Sequence, residues 1–175
     1  MRSGDLGPSA FQAWLAQDYL YVGDLLTFQA RLVARAPRSA QAVLVSGLVA
    51  LEAELGWFEE HAQRLSIRLD VVAAPATLAY RAFLAELDGR PYQTAITALW
   101  AMEFAYLEAW RSAAPGAPVY REFVSHWTTD EFEAYVGGLE RAADAYGDSE
   151  IEAAALAFRE VARLERGFWD MALAG

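Results

Sequence analysis

Apolar residues recur at helical spacing along nearly the whole chain, and prolines and glycines lie mostly between the recurring segments. Apolar side chains at intervals of three and four residues predict amphipathic helices, whereas strands would show strict alternation. The only β-branched run, residues 67–74, leads into Pro75 and is better interpreted as a connection than as a lone strand. The pattern therefore predicts an all-α chain.

The breaks in this pattern separate about seven predicted helices. The first helix is predicted from an N-cap near Ser9 to a stop at Pro37, and the next four span about Ser39 to Leu65, about Ala76 to Leu87, Tyr92 to about Ala113, and Val119 to Ser125. The sixth begins at a cap at Thr128 or Thr129, and the seventh spans about Asp148 and Ser149 to about Leu173. Glu131 follows the sixth cap as in a capping box. The fourth helix is nearly apolar all round, which predicts a central position. Without repeats or linkers, one helical domain over residues 1–175 is the simplest organisation.

Composition excludes several classes of protein. The formal net charge of −10 makes nucleic acids and anionic membranes poor partners, because both would be repelled. The chain has no cysteine, which excludes disulfides, thiolate metal sites and a cysteine nucleophile. The first eight residues show no apolar signal region, and no spanning helix is expected. We therefore expect a soluble protein, compatible with the cytosol.

Four carboxylates interrupt otherwise apolar helix faces: Asp18, Glu54, Glu103 and Glu165. Each is flanked, three or four residues away, by apolar residues of its own helix, so each would project inward. A buried ionised carboxylate needs hydrogen bonds, a cation or a raised pKa. One shared polar cavity explains four such acids better than four separate defects, since perturbed groups gather at functional sites. For any one acid taken alone, a purely structural role, in which the carboxylate bonds a tyrosine hydroxyl or a loop amide, has equal weight with a functional role.

Two tyrosines strengthen the prediction of a pocket. Tyr21 follows Asp18 by three residues and Tyr106 follows Glu103 by three, so each tyrosine shares a helix face with an acid. A tyrosine offers apolar area and one hydroxyl, which suits a flat heteroaromatic ring.

A carboxylate-bridged di-iron site is the main alternative from the residues alone. Glu54 and His61 are seven residues apart, two turns along one helix face. Such sites need about six protein ligands, with histidines from at least two helices. The chain has only His61 and His126, so this alternative ranks second and no metal is expected. The sequence shows no pattern typical of haem ligation, of a serine nucleophile elbow or of a glycine-rich phosphate loop.

Six stretches of the chain, in order, resemble the TenA family, the thiaminase II-like proteins of thiamin salvage. They are FQAWLAQDYLYV (11–22), EAELGWFEEHA (52–62), PATLAYRAFL (75–84), ALWAMEFAYLEAW (98–110), FVSHWTTDEF (123–132) and ERGFWDMA (165–172). The resemblance implies a haem-oxygenase-like bundle of about seven or eight helices. Family members usually carry one more helix before the stretch that resembles residues 5–22. The resemblance therefore leads us to expect that this helix is absent here, with either a truncated start or a pocket that is closed differently.

The resemblance also implies roles for the candidate residues. Asp18 would grip the amino and ring nitrogens of a pyrimidine, and Glu165 would be the acid at the leaving group. Trp127 falls where many members carry a tyrosine of the pocket wall. The substrate-binding candidates are Asp18, Tyr21, Glu54, Tyr80, Met102, Tyr106, Trp127 and Phe168, and the catalytic candidates are Glu165, Glu103 and Asp18.

One departure from the family changes the expected chemistry. Where the cysteine-bearing branch carries its nucleophile, this chain has Met102, which cannot attack as a thiolate does. The adjacent Glu103 is similar to a glutamate in the cysteine-less TenA_E-type branch. Neighbouring helical positions differ by about 100° in direction, so Glu103 need not occupy the place of the cysteine.

Together these observations predict a hydrolase that cleaves a C–N bond of a thiamin-derived aminomethyl or N-formyl-aminomethyl pyrimidine. Asp18 would bind the aminopyrimidine, Glu165 would protonate the departing nitrogen, and Glu103 would activate water. A non-catalytic pyrimidine-binding or regulatory protein of the same fold is the alternative. No cofactor is expected; the expected partners are a small-molecule aminopyrimidine and further copies of the chain, as a dimer or tetramer in the cytoplasm.

Overall fold

The computed structural model describes residues 1–145 and 151–174, and within them every element of regular secondary structure is a helix. The helices are α1 (Pro8–Arg35), α2 (Arg38–Leu65), α3 (Pro75–Leu87), α4 (Tyr92–Ala113), α5 (Arg121–His126), α6 (Asp130–Asp144) and α7 (Ile151–Ala174). The prediction of a seven-helix, all-α fold is confirmed. Residues 67–74 form the predicted irregular connection.

Most helix ends fall within two residues of their predicted positions. α1 begins at Pro8, two residues before the start at Ala10 that an N-cap at Ser9 would give, and its N-cap is Gly7. Pro8 suits the first helical position because its missing N–H costs nothing there. α5 begins at Arg121 rather than Val119. The predicted start of the last helix, at Asp148 and Ser149, lies outside the described residues.

Thr129, not Thr128, caps α6. Its hydroxyl accepts a hydrogen bond of 3.2 Å from the backbone N–H of Phe132. Glu131 therefore lies one position too early to complete a capping box with Thr129. The Thr128 hydroxyl instead donates to the carbonyl oxygen of Val124, at 2.8 Å.

The bundle is organised around α1 and α4. α1 packs against α2, α3, α4 and α7, while α4 packs against α1, α5, α6 and α7. Trp14 of α1 and Trp110 of α4 are almost fully buried and meet at a centroid distance of 5.4 Å. The central position predicted for the fourth helix follows from these contacts. Phe104 is a large apolar residue of α4 that departs from this burial, since 40% of it is exposed.

The connection between α2 and α3 is held to α1 by one side chain. The Gln17 amide nitrogen donates to the carbonyl oxygen of Val72 at 3.0 Å. Its amide oxygen accepts from the backbone N–H of Ala74 at 2.9 Å and from the Thr77 hydroxyl at 2.6 Å. Gln17 thus has a structural role, and it fixes the backbone next to Asp18.

Among the described helices, only Arg38–Leu65 is long and apolar enough to cross a membrane, judged by length and composition alone. A single helix of this kind is weak evidence for a membrane protein. Here it packs against α1 and α6 within the bundle.

Candidate functional site

Asp18 lies at the centre of the candidate site, on the inner face of α1. Only 1% of the residue is exposed. The hydroxyl of Tyr106 donates a 2.8 Å hydrogen bond to its Oδ2, while Oδ1 is buried and accepts no hydrogen bond from the described residues. Burial raises the pKa of Asp18 well above its usual range; the bond from Tyr106 opposes this, and the nearby charges of Glu54, Glu165 and Glu103 add to it.

Glu103 faces the same region from α4. The residue is 7% exposed, and no side chain in the described ranges donates a hydrogen bond to its carboxyl group. Burial, followed by repulsion from Glu54 and Glu165, raises its pKa to about 8. Glu103 is therefore largely protonated at neutral pH in the unliganded protein.

Glu165 enters from α7 with a hydrogen bond on each carboxylate oxygen. Oε1 accepts a short bond from the Tyr80 hydroxyl, and Oε2 accepts one of 3.1 Å from the indole N–H of Trp169. Burial raises the pKa of Glu165, and the bonds from Tyr80 and Trp169 oppose that rise because they stabilise the ionised form. The environments of Glu103 and Glu165 thus differ, as two carboxyl groups with separate roles require.

Glu54 forms the outer edge of the cluster, on α2. Its Oε1 accepts a 2.5 Å bond from the indole N–H of Trp127, and its Oε2 lies 2.9 Å from Nε2 of His126. Its negative charge contributes to the raised pKa values of Asp18, Glu103 and Tyr106.

The four acids therefore converge from α1, α2, α4 and α7 on one region, and they act on one another electrostatically. In the described part of the chain, no arginine pairs with Asp18, Glu103 or Glu165. The local concentration of uncompensated carboxyl groups favours a cationic or hydrogen-bond-donating ligand over an anionic one.

Aromatic rings surround this cluster. Tyr21 lies 4.7 Å from Tyr80 and 5.8 Å from Phe168 between ring centroids, and Tyr80 lies 6.1 Å from Phe168. On the other side, Tyr106 meets Trp127 edge-on at 5.7 Å. Burial is the largest cause that raises the pKa of Tyr21, followed by the charges of Glu165, Glu103 and Asp18, so this hydroxyl stays protonated beside the acids.

Met102 is 1% exposed and belongs to the core of α4. It precedes the buried acid Glu103 in sequence, and its thioether offers neither a proton nor a nucleophilic anion. Among the candidates, Met102 is the residue for which the observed contacts give the least support for a role in the site.

Sequence patterns missed two parts of this arrangement. The first is the pairing of Trp169 with Glu165, which could have been found because the residues are four apart on one helix. The second is a polar layer formed by Gln29, Leu44 and Tyr135. The amide nitrogen of Gln29 donates a hydrogen bond to the carbonyl oxygen of Leu44 at 2.8 Å, and its amide oxygen accepts one from the Tyr135 hydroxyl at 3.2 Å. Gln29 also lies on an apolar helix face, so the rule that identified the acids would have found it.

Gly47 is required where this polar layer meets α2. A Cβ atom at Gly47 would collide with the Gln29 amide and the Tyr135 hydroxyl. Glu103 is close enough to contribute to the raised pKa of Tyr135, after burial as the largest cause. The Gln29–Tyr135 pair therefore stands beside the acid cluster, on the side of Glu103.

The two histidines do not form the ligand set of the di-iron alternative. His61 pairs with Glu122 at 3.1 Å, and it is His126 rather than His61 that contacts Glu54. Within residues 1–145 and 151–174 there is no group of three or more histidine, aspartate or glutamate side chains arranged to hold a metal ion.

Comparison with known proteins identifies the family of this chain. The sequence pattern of the TENA/THI-4/PQQC family matches residues 1–175. The chain belongs to this family. The family resemblance drawn from the six stretches is thereby confirmed.

Three relatives of the family show how far the similarity extends. A Glycine max protein described as "Probable bifunctional TENA-E protein" is 30% identical and covers 98% of this chain and 82% of its own. An "Aminopyrimidine aminohydrolase" from Halalkalibacterium halodurans is 30% identical, over 97% of this chain and 83% of its own. The crystal structure of a TenA homologue from Pyrococcus furiosus, 31% identical, superposes with a TM-score of 0.92 over 98% of this chain and 87% of its own.

Proposed function

We propose that this chain is an aminopyrimidine hydrolase of thiamin salvage, which cleaves a C–N bond of a thiamin-derived aminomethyl or N-formyl-aminomethyl pyrimidine by carboxylate acid/base catalysis. Membership of the TenA family and the relative named aminopyrimidine aminohydrolase support the class of reaction. The observation that carries the proposal is the unpaired, buried Oδ1 of Asp18 among further acids and aromatic rings.

Asp18 suits an aminopyrimidine because its carboxylate offers one free acceptor in a fixed orientation. Tyr106 holds Oδ2, so Oδ1 is left for a ring N–H or an exocyclic amino group. A buried acceptor without a donor costs about 1–3 kcal/mol, and a ligand that supplies the donor recovers that cost. A cationic ring would bind the ionised form of Asp18 more tightly than the protonated form, so binding would lower its raised pKa.

Glu165 and Glu103 divide the proton transfers in this proposal. Glu165 protonates the departing nitrogen, and Glu103 takes a proton from the attacking water, whose oxygen forms the new bond as the C–N bond breaks. At neutral pH Glu103 holds a proton, because its pKa is about 8. A cationic substrate beside it would favour the carboxylate, so that binding itself prepares the base.

Hydrolysis without a covalent intermediate fits the composition of the chain. No residue is a cysteine. By the family resemblance, Met102 stands where the cysteine-bearing branch carries its nucleophile. Direct attack by water requires a base and an acid on either side of the scissile bond, and the cluster provides several carboxyl groups for these roles.

The test is an assay of purified protein with aminomethyl and N-formyl-aminomethyl pyrimidines, following ammonia and formate release, with binding titrated in parallel. Turnover that is lost in Glu103→Gln, while pyrimidine binding persists, is the expected result. Binding without turnover in the wild type would favour the second candidate, a pyrimidine-binding or regulatory member of the fold. A methionine at position 102, where the resemblance implies a nucleophilic cysteine in other members, also suits that candidate. Absence of both would overturn the proposal.

Two further properties belong to the proposal. We place the protein in the cytoplasm, where salvage of a small polar pyrimidine would occur. We also expect a homo-oligomer, a dimer or tetramer, in which α2 contacts a second copy. The outer face of α2 supports this assembly, because it exposes 47% of Val45 and 66% of Val49.

A further inference from the structure

A hollow of about 300 Å³ lies next to the acid cluster, at the end of the bundle where α4 and α7 finish. Its inner wall is formed by three tryptophans, Trp14 of α1, Trp110 of α4 and Trp169 of α7. Their rings meet at centroid distances of 5.4 Å, 6.3 Å and 6.1 Å, so the three indoles form one surface. The hollow opens to solvent beside Leu173, which is 72% exposed.

Trp169 joins this hollow to the acid cluster by a direct contact. It follows Glu165 by four residues on α7, and its indole N–H donates a 3.1 Å hydrogen bond to Oε2 of Glu165. Its ring is nearly parallel to that of Trp14, with 9° between the planes, and it stacks on Tyr106 with 28° between the planes. One side chain therefore lines the hollow and also holds the carboxyl group that the proposed function places at the departing nitrogen.

The lining of the hollow is apolar and aromatic, unlike the acid cluster one helical turn away. Among the described residues, no side chain that lines it is charged, and the hydroxyl of Ser112 is used in a 2.7 Å bond to the carbonyl oxygen of Ala109. An apolar cavity of about 150 Å³ is already large enough for a benzene molecule. The hollow therefore suits an uncharged group of the size of an aromatic ring.

A further observation favours an aromatic ring over a saturated chain. The indole N–H of Trp14 is buried and has no acceptor in the described part of the chain. The face of an aromatic ring accepts a weak hydrogen bond from such a donor, whereas a saturated chain does not. Contacts between aromatic rings also add to what the burial of apolar area provides.

The outer wall of the hollow is fixed in place by hydrogen bonds. It includes the segment before α1, in which the carbonyl oxygen of Leu6 accepts a 2.6 Å bond from the Tyr120 hydroxyl. The carbonyl oxygen of Met1 accepts a second bond, of 3.2 Å, from the backbone N–H of Ala117. A space whose walls are already ordered binds a ligand without the entropic cost of ordering them.

Resting on the proposed function, we infer that this hollow is a subsite for an aromatic substituent on the departing nitrogen, so that the substrates include N-arylmethyl derivatives of the aminomethyl pyrimidine. The acid cluster binds the pyrimidine and the nitrogen, and the hollow holds the uncharged ring beyond the nitrogen. The oxygen of water bonds to the methylene carbon next to the pyrimidine as the bond from that carbon to the nitrogen breaks. Glu165 protonates the nitrogen, which leaves as a primary amine, and Glu103 takes a proton from the water.

The experiment compares the aminomethyl pyrimidine with its N-benzyl derivative, by release of ammonia and of benzylamine. These two amines are similarly basic, so a difference in kcat/KM reports contacts of the benzyl ring rather than ease of departure. We expect the wild type to prefer the N-benzyl substrate by about 10-fold or more, because even one methylene group in an apolar pocket gives about 10- to 200-fold. An equal or lower kcat/KM for the N-benzyl substrate would overturn the inference.

Two substitutions fill the hollow without touching the acids. Ala113 and Ala109 of α4 both line it and are only partly buried. Ala113→Phe and, as a milder change, Ala109→Leu should each lower kcat/KM for the N-benzyl substrate by about 10-fold and keep the aminomethyl substrate within twofold of wild type. Ala162→Phe is the matched control, because Ala162 is exposed on α7 and lies outside the lining; it should leave both values unchanged.

Equal losses on both substrates in the two filled variants would overturn the inference and leave the proposed function intact. A change of molecular mass in Ala113→Phe would also overturn it, because a second copy of the chain would then occupy the hollow. A wild type that turns over neither the aminomethyl nor the N-formyl-aminomethyl pyrimidine would instead overturn the proposed function. Calorimetry with the N-benzyl compound would still test the subsite, since Ala113→Phe should weaken its binding about 10-fold, and an unchanged affinity would exclude the hollow.

Discussion

The hydroxyl of Tyr106 donates a 2.8 Å hydrogen bond to Oδ2 of Asp18 and leaves Oδ1 of the same carboxyl group buried and unpaired among the described residues. The bond to Oδ2 thus fixes the orientation of the carboxyl group, and Oδ1 can accept a hydrogen bond from a ligand. This asymmetry distinguishes Asp18 from Glu165, which accepts a bond on each oxygen, and it suggests that Asp18 recognises the ligand while Glu165 takes part in proton transfer.

Asp18→Asn should weaken binding of an aminopyrimidine by about 10- to 100-fold, because a hydrogen bond to a charged group is worth about 1.5–3 kcal/mol. Calorimetry, or the fluorescence of the tryptophans around the site, would measure the change. Asp24→Asn is the control, since Asp24 lies on the same helix but pairs with Arg81 at the surface, at 2.8 Å. Unchanged affinity in Asp18→Asn would remove this residue from the binding site.

The kcat/KM for the aminopyrimidine should decline as the pH rises through about 8. In the free protein, Glu103 loses its proton near that pH, so the pair formed by Glu103 and Glu165 then holds one proton fewer for the leaving nitrogen. The two groups titrate as a coupled pair, and the profile reports the pair rather than either residue. A wild-type profile over pH 5–10 would test this, together with a direct titration of the Glu103 carboxyl group by NMR in the free protein. A decline in kcat/KM at a pH where Glu103 does not titrate would assign it to another group.

Glu103→Gln should stabilise the protein at pH 8 and have little effect at pH 4. The pKa of Glu103 is raised from 4.5 to about 8 on folding, so the folded state keeps a proton that the unfolded state releases between those values. Stability that is fully present below pH 4.5 is therefore lost as the pH rises towards 8, on the order of a few kcal/mol. Glutamine removes this penalty.

Thermal unfolding at the two pH values would measure the effect, with an expected gain in Tm of roughly 5–10 °C at pH 8, since 1 kcal/mol is worth about 2–4 °C for a chain of this size. Glu52→Gln serves as the control because Glu52 is exposed. A loss of stability at pH 8 would mean that the Glu103 carboxylate has a stabilising partner in solution. A gain combined with lost turnover is the trade-off expected of a catalytic carboxyl group.

The acids could be found from the sequence because each breaks a strict local pattern. Asp18 lies between Trp14 and Val22, which are 0% and 6% exposed, and Glu103 lies between Leu99 and Leu107, which are 0% and 2% exposed. In a regular helix, buried neighbours at three- and four-residue spacing determine where the intervening side chain points. The inward direction of these acids was therefore predictable.

The partners of the acids could not be found in this way. Glu54 and His126 are 72 residues apart, and His126 lies on the six-residue helix α5, which is too short to show a period. The bond from Tyr80 to Glu165 likewise joins residues 85 apart. Such contacts depend on how helices pack, and periodicity within one helix carries no information about them.

Val49→Glu should convert the proposed oligomer into smaller species. Val49 is 66% exposed on α2, whose other side packs against α1 and α6, so a charge there would leave the fold intact but disrupt an apolar contact between copies. Sedimentation or light scattering would measure the mass. Val72→Glu is the control, because Val72 is 91% exposed on the 67–74 connection. A monomeric wild type, or a variant of unchanged mass, would remove α2 from the interface.

Tyr80→Phe should move the acidic limb of the kcat/KM profile to higher pH and leave the alkaline limb near pH 8 in place. The Tyr80 hydroxyl stabilises ionised Glu165 through its bond to Oε1, and this bond opposes the rise in the pKa of Glu165 that burial causes. Without the bond the pKa of Glu165 rises further, because the ionised form loses a hydrogen-bond donor. Tyr19→Phe is the matched control, since that hydroxyl bonds Glu59 at the surface, at 2.8 Å. If Tyr80→Phe shifted the alkaline limb instead, the proton lost near pH 8 would belong to Glu165, and the assignment of that limb to Glu103 would be wrong.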